Sequence, residues 1–183
     1  MIKNEGMNIV LIGYRGTGKT SVGMALSKRL AKAFCDTDDY IEKKAGIPIS
    51  DMVAKDGWTF FRAREKEIIR EVSCFKDCVI AAGGGAVLDA ENVENLKKNG
   101  VVILLEATTQ TIFERMRYDK KTDQQRPSLT GKDPYEEIEE VLEFRRPIYQ
   151  KAMDFSVDTT SKSIDQVLDE IAQKLAVYNR VKP

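Results

Sequence analysis

Eight residues of this chain combine a bendable, glycine-rich backbone with a lysine and a hydroxyl: Gly13-Tyr14-Arg15-Gly16-Thr17-Gly18-Lys19-Thr20. They follow the apolar run Asn8-Ile9-Val10-Leu11-Ile12 and lead into a stretch of helical periodicity, which is the setting of a phosphate-binding P-loop. Its glycines let successive backbone N–H groups turn inward at phosphate oxygens. Lys19 can then reach the β- and γ-phosphates of a nucleotide, and the Thr20 hydroxyl can ligand Mg²⁺. The helix that starts here adds the positive end of its dipole. Gly13, Arg15, Gly16, Thr17, Gly18, Lys19, Thr20 and Ser21 are thus the candidate nucleotide-contacting set.

Three further groups lie downstream, each after or between candidate strands. Cys35-Asp36-Thr37-Asp38-Asp39 puts two carboxylates at alternate positions. On an extended segment Asp36 and Asp38 would point the same way. One could stand beside Mg²⁺ and the other beside an acceptor hydroxyl, as phosphoryl transfer to an alcohol requires. Aspartates also cap helices, and Asp39 is expected to have that role. Next comes Phe60-Phe61-Arg62-Ala63-Arg64-Glu65, in which Arg62 and Glu65 are three apart and share a helix face. A guanidinium fork held by a carboxylate is a preorganised clamp for a substrate carboxylate, although most such pairs are solvated surface pairs. Finally Gly83-Gly84-Gly85 follows an apolar run. Three residues without side chains permit close approach of a ligand, or merely a flexible turn.

The elements that must position these groups alternate. Apolar runs at 9–12, 79–82 and 101–105 fit buried strands, with weaker ones at 33–35 and 155–157. Helical patterns fill 20–32, 39–45, 49–56, 60–74, 90–99, 109–115, 135–153 and 163–178. This βαβ order predicts an α/β fold with a parallel sheet, helices on both faces, and ligands beyond the C-terminal strand ends. The polar, aperiodic stretch 118–125 reads as a mobile loop between two helices.

A length of 183 residues suits one domain, and 42% hydrophobic with 32% charged residues is ordinary globular composition. Lys plus Arg (29) balances Asp plus Glu (29), so no overall field draws the chain to nucleic acid or an acidic membrane. Any anion site must be local. Cys35, Cys74 and Cys78 have no metal-type spacing partners and the chain has no histidine, which favours a reducing, cytoplasmic location. Neither an export signal nor a membrane-length apolar run is expected.

Taken in order, these motifs resemble the shikimate kinase family, whose pattern is a P-loop, Asp-x-Asp, Phe-Arg-x-x-Glu, Gly-Gly-Gly, an Arg-Pro-x-Leu lid and an Arg-x-Pro-x-Tyr helix. Here the last two stand as Arg126-Pro127-Ser128-Leu129 and Arg145-Arg146-Pro147-Ile148-Tyr149. The P-loop alone marks only an NTPase; the other five, in order over about residues 8 to 175, make the match specific.

The resemblance implies a single domain over 1–183: a P-loop NTPase-type three-layer sandwich with a five-stranded parallel sheet, helices on both faces and a mobile lid. It divides into a P-loop core at 7–35, substrate-binding helices at 36–75 and the lid at 117–130. It further implies ATP-dependent phosphorylation of the shikimate 3-hydroxyl, a step of chorismate and aromatic amino-acid biosynthesis, by a monomer. Asp38, Lys19 and Arg126 would be catalytic, and Asp38, Arg62, Glu65, Gly83, Gly84, Gly85 and Arg145 would bind shikimate. Thr20 and Asp36 would hold Mg²⁺, Arg126 would also meet the phosphoryl group, and Arg117 would lie against the adenine.

The chain departs from the pattern at Trp58, often acidic in the family, at Ala81, near which a serine is common, and at Ser128, often leucine. It also lacks a Walker B carboxylate after residues 79–82, and Glu106 is too far from the acceptor to replace it. Two other readings fit a P-loop: a kinase for gluconate or a nucleoside monophosphate, and a non-enzymatic ligand sensor. A nucleotide acceptor would call for arginines facing a second phosphate, and a sensor would be expected to have lost Lys19 or Asp38.

Overall fold

The computed structural model describes residues 6–118 and 133–181. Five strands, β1 (Asn8–Ile12), β2 (Ala33–Asp36), β3 (Cys78–Ala81), β4 (Gly100–Glu106) and β5 (Phe155–Asp158), form one sheet in the order β2-β3-β1-β4-β5. Every pairing is parallel. All five candidate strands are present, the two weaker ones as the sheet's edges.

Alternation within the strands sorts the core into two halves. Val10, Ile12, Ile80, Val102 and Leu104 face one cluster, which contains Ile41, Ile69 and Tyr149. Ile9, Leu11, Val79, Val101, Ile103 and Leu105 face the other, with Val22, Leu26 and Ile171. A sheet buried on both faces needs apolar residues at every position, and β1 has them save for Asn8. That asparagine is itself satisfied. Its Nδ2 donates to the Phe75 carbonyl at 2.7 Å and its Oδ1 accepts the Cys78 N–H at 3.1 Å, tying β1 to the start of β3.

The connecting helices are α1 (Lys19–Leu30), α2 (Thr37–Ala45), α3 (Ile49–Val72), α4 (Ala90–Lys98), α5 (Thr109–Tyr118), α6 (Pro134–Ala152) and α7 (Ile164–Val181). Three departures from the spans expected of the sequence bear on the site. Residues 49–72 form one element rather than two, yet Gly57 (φ 81°, ψ 169°) breaks it where the gap between the two helical patterns falls. Helix α2 begins at Thr37, so Asp36 rather than Asp39 is its cap, accepting the Asp38 N–H at 3.0 Å. Helix α5 runs on to Tyr118, so the first two positions expected in the lid are helical. The remainder of that segment, with Arg126 and Ser128, lies outside the described residues.

Parallel register brings the functional segments to one edge. Asp36 lies beside Ala81, and Ala81 beside Leu11, so the turns that follow β2, β3 and β1 emerge together. Asn8→Ala should cost about 2 kcal/mol of stability, because it leaves the Phe75 carbonyl and Cys78 N–H without their partner. Denaturant unfolding should show the midpoint fall with an unchanged slope.

Candidate active site

The P-loop leaves β1 through Gly13, whose φ of 140° and tight packing exclude any side chain: a Cβ there would stand 2.4 Å from the Leu105 carbonyl oxygen. Gly18 (φ 94°) caps α1 without a side-chain hydrogen bond, and the first turn of α1 contains no acidic residue. The amides of that turn are therefore not claimed by a capping side chain and suit an anion. Lys19 is buried and folds back so that Nζ donates to the Gly13 and Tyr14 carbonyls at 2.8 and 2.9 Å. Thr17 Oγ1 donates to the Tyr14 carbonyl at 2.8 Å and closes the loop on itself.

Two clefts flank this loop. The first, of about 550 Å³, is lined by Tyr14, Arg15 and Lys19 from the P-loop, Asp38, Arg62 and Glu65 from α2 and α3, Gly83, Gly84 and Gly85, and Arg145 from α6. Ile49, Trp58 and Phe61 supply its apolar wall. It thus assembles all the acceptor-side residues expected from the sequence, which lie more than 100 positions apart in the chain.

Each cation there is held. Arg62 pairs with Glu65 three residues on, and its guanidinium lies over the Trp58 and Phe61 rings at 5.5 and 5.0 Å. Glu65 is 1% exposed, and burial pushes its carboxyl above the ordinary range while Arg62 opposes that shift. Its Oε1 has no hydrogen-bond partner among the described residues. A Cβ placed at Gly83 would stand 2.6 Å from Asp38 Oδ1 and 2.9 Å from this Oε1, so both carboxylates converge on the glycine.

The Arg-x-Pro-x-Tyr motif also finds its physical meaning in α6. Arg145 and Tyr149 lie one helical turn apart, and both donate to the Gly84 carbonyl, at 3.1 and 2.6 Å. Arg145 Nε is buried without a partner, and its guanidinium lies 6.0 Å from the Tyr14 ring centroid. A guanidinium with one nitrogen unsatisfied beside an open cleft is ready to take an anion.

The second cleft, of about 1310 Å³, is lined by Gly16, Thr17, Gly18, Lys19, Thr20 and Ser21 of the P-loop, Asp36 and Asp39, and Arg115, Thr159 and Lys162. Here the Thr20 hydroxyl donates to Asp36 Oδ2 at 2.7 Å. Two hard oxygen donors side by side at a phosphate loop fit Mg²⁺, which takes few protein ligands and completes its shell with phosphate and water. Among the residues lining the two clefts, Lys19 alone belongs to both.

Several assignments move. Arg15, expected on the nucleotide, lines the first cleft and pairs with Glu137, a 2% exposed carboxylate in the first turns of α6. Arg117, expected against the adenine, is exposed and lies over Phe113 at 5.7 Å; Arg115 is the arginine that reaches the second cleft. On a helix the two positions point about 200° apart, so the choice depends on phase rather than proximity. Glu137, Arg115 and Thr159 carried no motif that could have identified them.

The family model described as shikimate kinase matches residues 15–176. The shikimate kinase of Syntrophus aciditrophicus (strain SB) is 46% identical over 180 residues, covering 94% of this chain and 92% of its own. That of Thermodesulfovibrio yellowstonii is 44% identical over 167 residues, covering 91% and 94%. Among solved structures, shikimate kinase from Acinetobacter baumannii in complex with shikimate superposes with a TM-score of 0.87 at 34% identity, covering 96% of each chain.

The three-glycine turn gives a direct test. None of its glycines has positive φ, so any conformational argument fails there and only space remains. A Cβ at Gly85 would stand 2.3 to 2.6 Å from the Arg62 guanidinium. Gly85→Ala should therefore push Arg62 out of line and raise the acceptor KM about tenfold or more, with the ATP KM little changed. Steady-state kinetics with each substrate varied in turn would detect it.

Proposed function

The chain belongs to the shikimate kinase family, and from that premise we propose that it transfers the γ-phosphoryl group of ATP to the 3-hydroxyl of shikimate, giving shikimate 3-phosphate for chorismate and aromatic amino-acid biosynthesis. The observation that carries the reading is the meeting of the two clefts at Lys19. A phosphate-binding loop opens one, and a carboxylate-and-hydroxyl pocket opens the other. Transfer needs a donor and an acceptor on either side of one cation, in line and close together.

In this reading the shikimate carboxylate lies between Arg62 and Arg145, each preset by its own partners. The ring hydroxyls face Gly83, Gly84 and Gly85, where the absence of side chains leaves room beside Asp38 and Glu65. Asp38 accepts the hydrogen bond of the 3-hydroxyl and aims its lone pair at the γ-phosphorus. Lys19, released from the loop carbonyls by the nucleotide, stabilises negative charge on the phosphate oxygens, and Arg126 is assigned the same task.

The base lies toward Arg115 rather than Arg117, on the side of Lys162. Thr20 directly and Asp36 through water would hold Mg²⁺, which supplies charge neutralisation at the β- and γ-phosphates. The reading carries with it a cytoplasmic monomer. No helix among the described residues is long and apolar enough to cross a membrane.

A coupled ADP-release assay with shikimate, gluconate and nucleoside monophosphates tests the substrate. Turnover with shikimate alone is expected, and an equal or faster rate with another acceptor overturns it. Asp38→Asn should bind both substrates and fold normally, yet turn over ~10²–10⁴ slower; calorimetric binding alongside kcat measures both. Arg62→Lys should keep the charge but lose the two-pronged grip, raising the shikimate KM and leaving the ATP KM unchanged. Loss of ATP affinity instead would place Arg62 on the nucleotide.

A further inference from the structure

Thr159, just beyond β5, is 3% exposed and carried no signal in the sequence. Its hydroxyl accepts from Arg115 Nη1 at 3.0 Å. The same oxygen lies 3.1 Å from the Thr17 carbonyl and 3.0 Å from the Glu106 carbonyl. A hydroxyl has one proton to give. The Glu106 carbonyl already receives the Thr159 backbone N–H at 2.8 Å, so giving the hydroxyl proton to Thr17 leaves both carbonyls with a donor.

Arg115 completes the brace. Besides Oγ1, it donates to the Gly16 carbonyl at 3.2 Å and to the Thr159 carbonyl at 2.7 Å. Two successive P-loop carbonyls, those of Gly16 and Thr17, are thereby held from the same side by one hydroxyl and one guanidinium. A planar trans peptide sets its C=O and the following N–H in opposite directions, and no described peptide is cis. Fixing the Thr17 carbonyl toward Thr159 therefore aims the Gly18 N–H away from it. That amide immediately precedes Lys19 and belongs to the group that would face an anion at the start of α1.

We infer that Thr159 is a positioning residue for the nucleotide: its hydroxyl orients the Thr17–Gly18 peptide and the Arg115 fork, and so presets the phosphate cradle. The inference rests on the reading that a nucleotide phosphate occupies the P-loop. It does not depend on which acceptor is used.

The test is calorimetric titration of MgADP, without acceptor, into wild type, Thr159→Val and Thr159→Ser. Valine keeps the shape and removes the hydroxyl; serine keeps the hydroxyl and removes the methyl. Thr159→Val should bind MgADP about tenfold more weakly, Thr159→Ser within about twofold of wild type, and shikimate binding to the free enzyme should not change in either. Wild-type affinity in Thr159→Val overturns the inference. So does equal weakening in Thr159→Ser, which would reduce the residue to packing. Should Thr159→Val fail to fold by circular dichroism, Thr159→Ala against Thr159→Ser is judged by the same criteria. A wild type that binds MgADP but does not phosphorylate shikimate overturns the acceptor reading alone, whereas one that fails to bind MgADP overturns both.

Discussion

Four cationic side chains, Arg15, Lys19, Arg62 and Arg145, line a single cleft, and much of the surrounding structure serves to hold them there. Like charges in a partly dry pocket repel strongly, because the interaction that water would screen persists where protein replaces it. Each cation is accordingly given its own restraint: Glu137 for Arg15, loop carbonyls for Lys19, Glu65 with two aromatic faces for Arg62, and the Gly84 carbonyl for Arg145. Set against Asp38, Glu65 and Glu137, four cations leave one positive charge in excess among the described residues. In a chain of zero net charge, that local excess is what selects an anionic ligand.

The restraints come from elements far apart in sequence, and this explains why the site needs the whole domain. Glu137 and Arg145 lie on α6, Glu65 on α3 and the carbonyl ridge on the turn after β3. Tyr14 binds them into one unit. Its ring sits beneath both Arg15 and Arg145, at 5.5 and 6.0 Å, and it packs in a small cluster with Ile112, Ile138 and Val141. Burial raises the Tyr14 hydroxyl above its ordinary range despite the neighbouring Arg15, so it remains a neutral partner at physiological pH. A residue inside the P-loop thus carries the contact between the phosphate cradle and the helix that supplies Arg145.

How much of this was legible follows from the range of the forces involved. The strands were readable because burial on both faces demands unbroken apolar runs, and the break at Gly57 because glycine is costly inside a helix. The P-loop, the Arg62 and Glu65 pair and the glycine turn were readable as local patterns, whereas Arg145 was marked only by the family resemblance. Arg15 was recognised as part of the P-loop, but the cleft that it lines is set by Glu137, 122 residues away. Arg117 and Arg115 are two apart on one helix, and only the packing of α5 against the P-loop decides which faces inward. Thr159 acts through carbonyls, and carbonyls leave no mark in a sequence.

The pair Asp36 and Asp38 shows how a small change of backbone state alters the chemistry. On a continued strand both carboxylates would have pointed the same way. The chain instead turns helical at Thr37, and Asp36 spends one oxygen capping that helix while the other receives Thr20. Asp38, now in the first helical turn, is carried to the opposite side and lines the first cleft, whereas Asp36 lines the second. The Thr37 hydroxyl fixes the division by accepting the Gly83 N–H at 2.9 Å, which ties the start of α2 to the glycine turn. Two neighbouring carboxylates therefore line two different clefts, and Lys19 lines both. Had the strand run two residues further, both would have faced one cleft. The helix start at Thr37 is what sends two carboxylates, two residues apart in the chain, into different clefts.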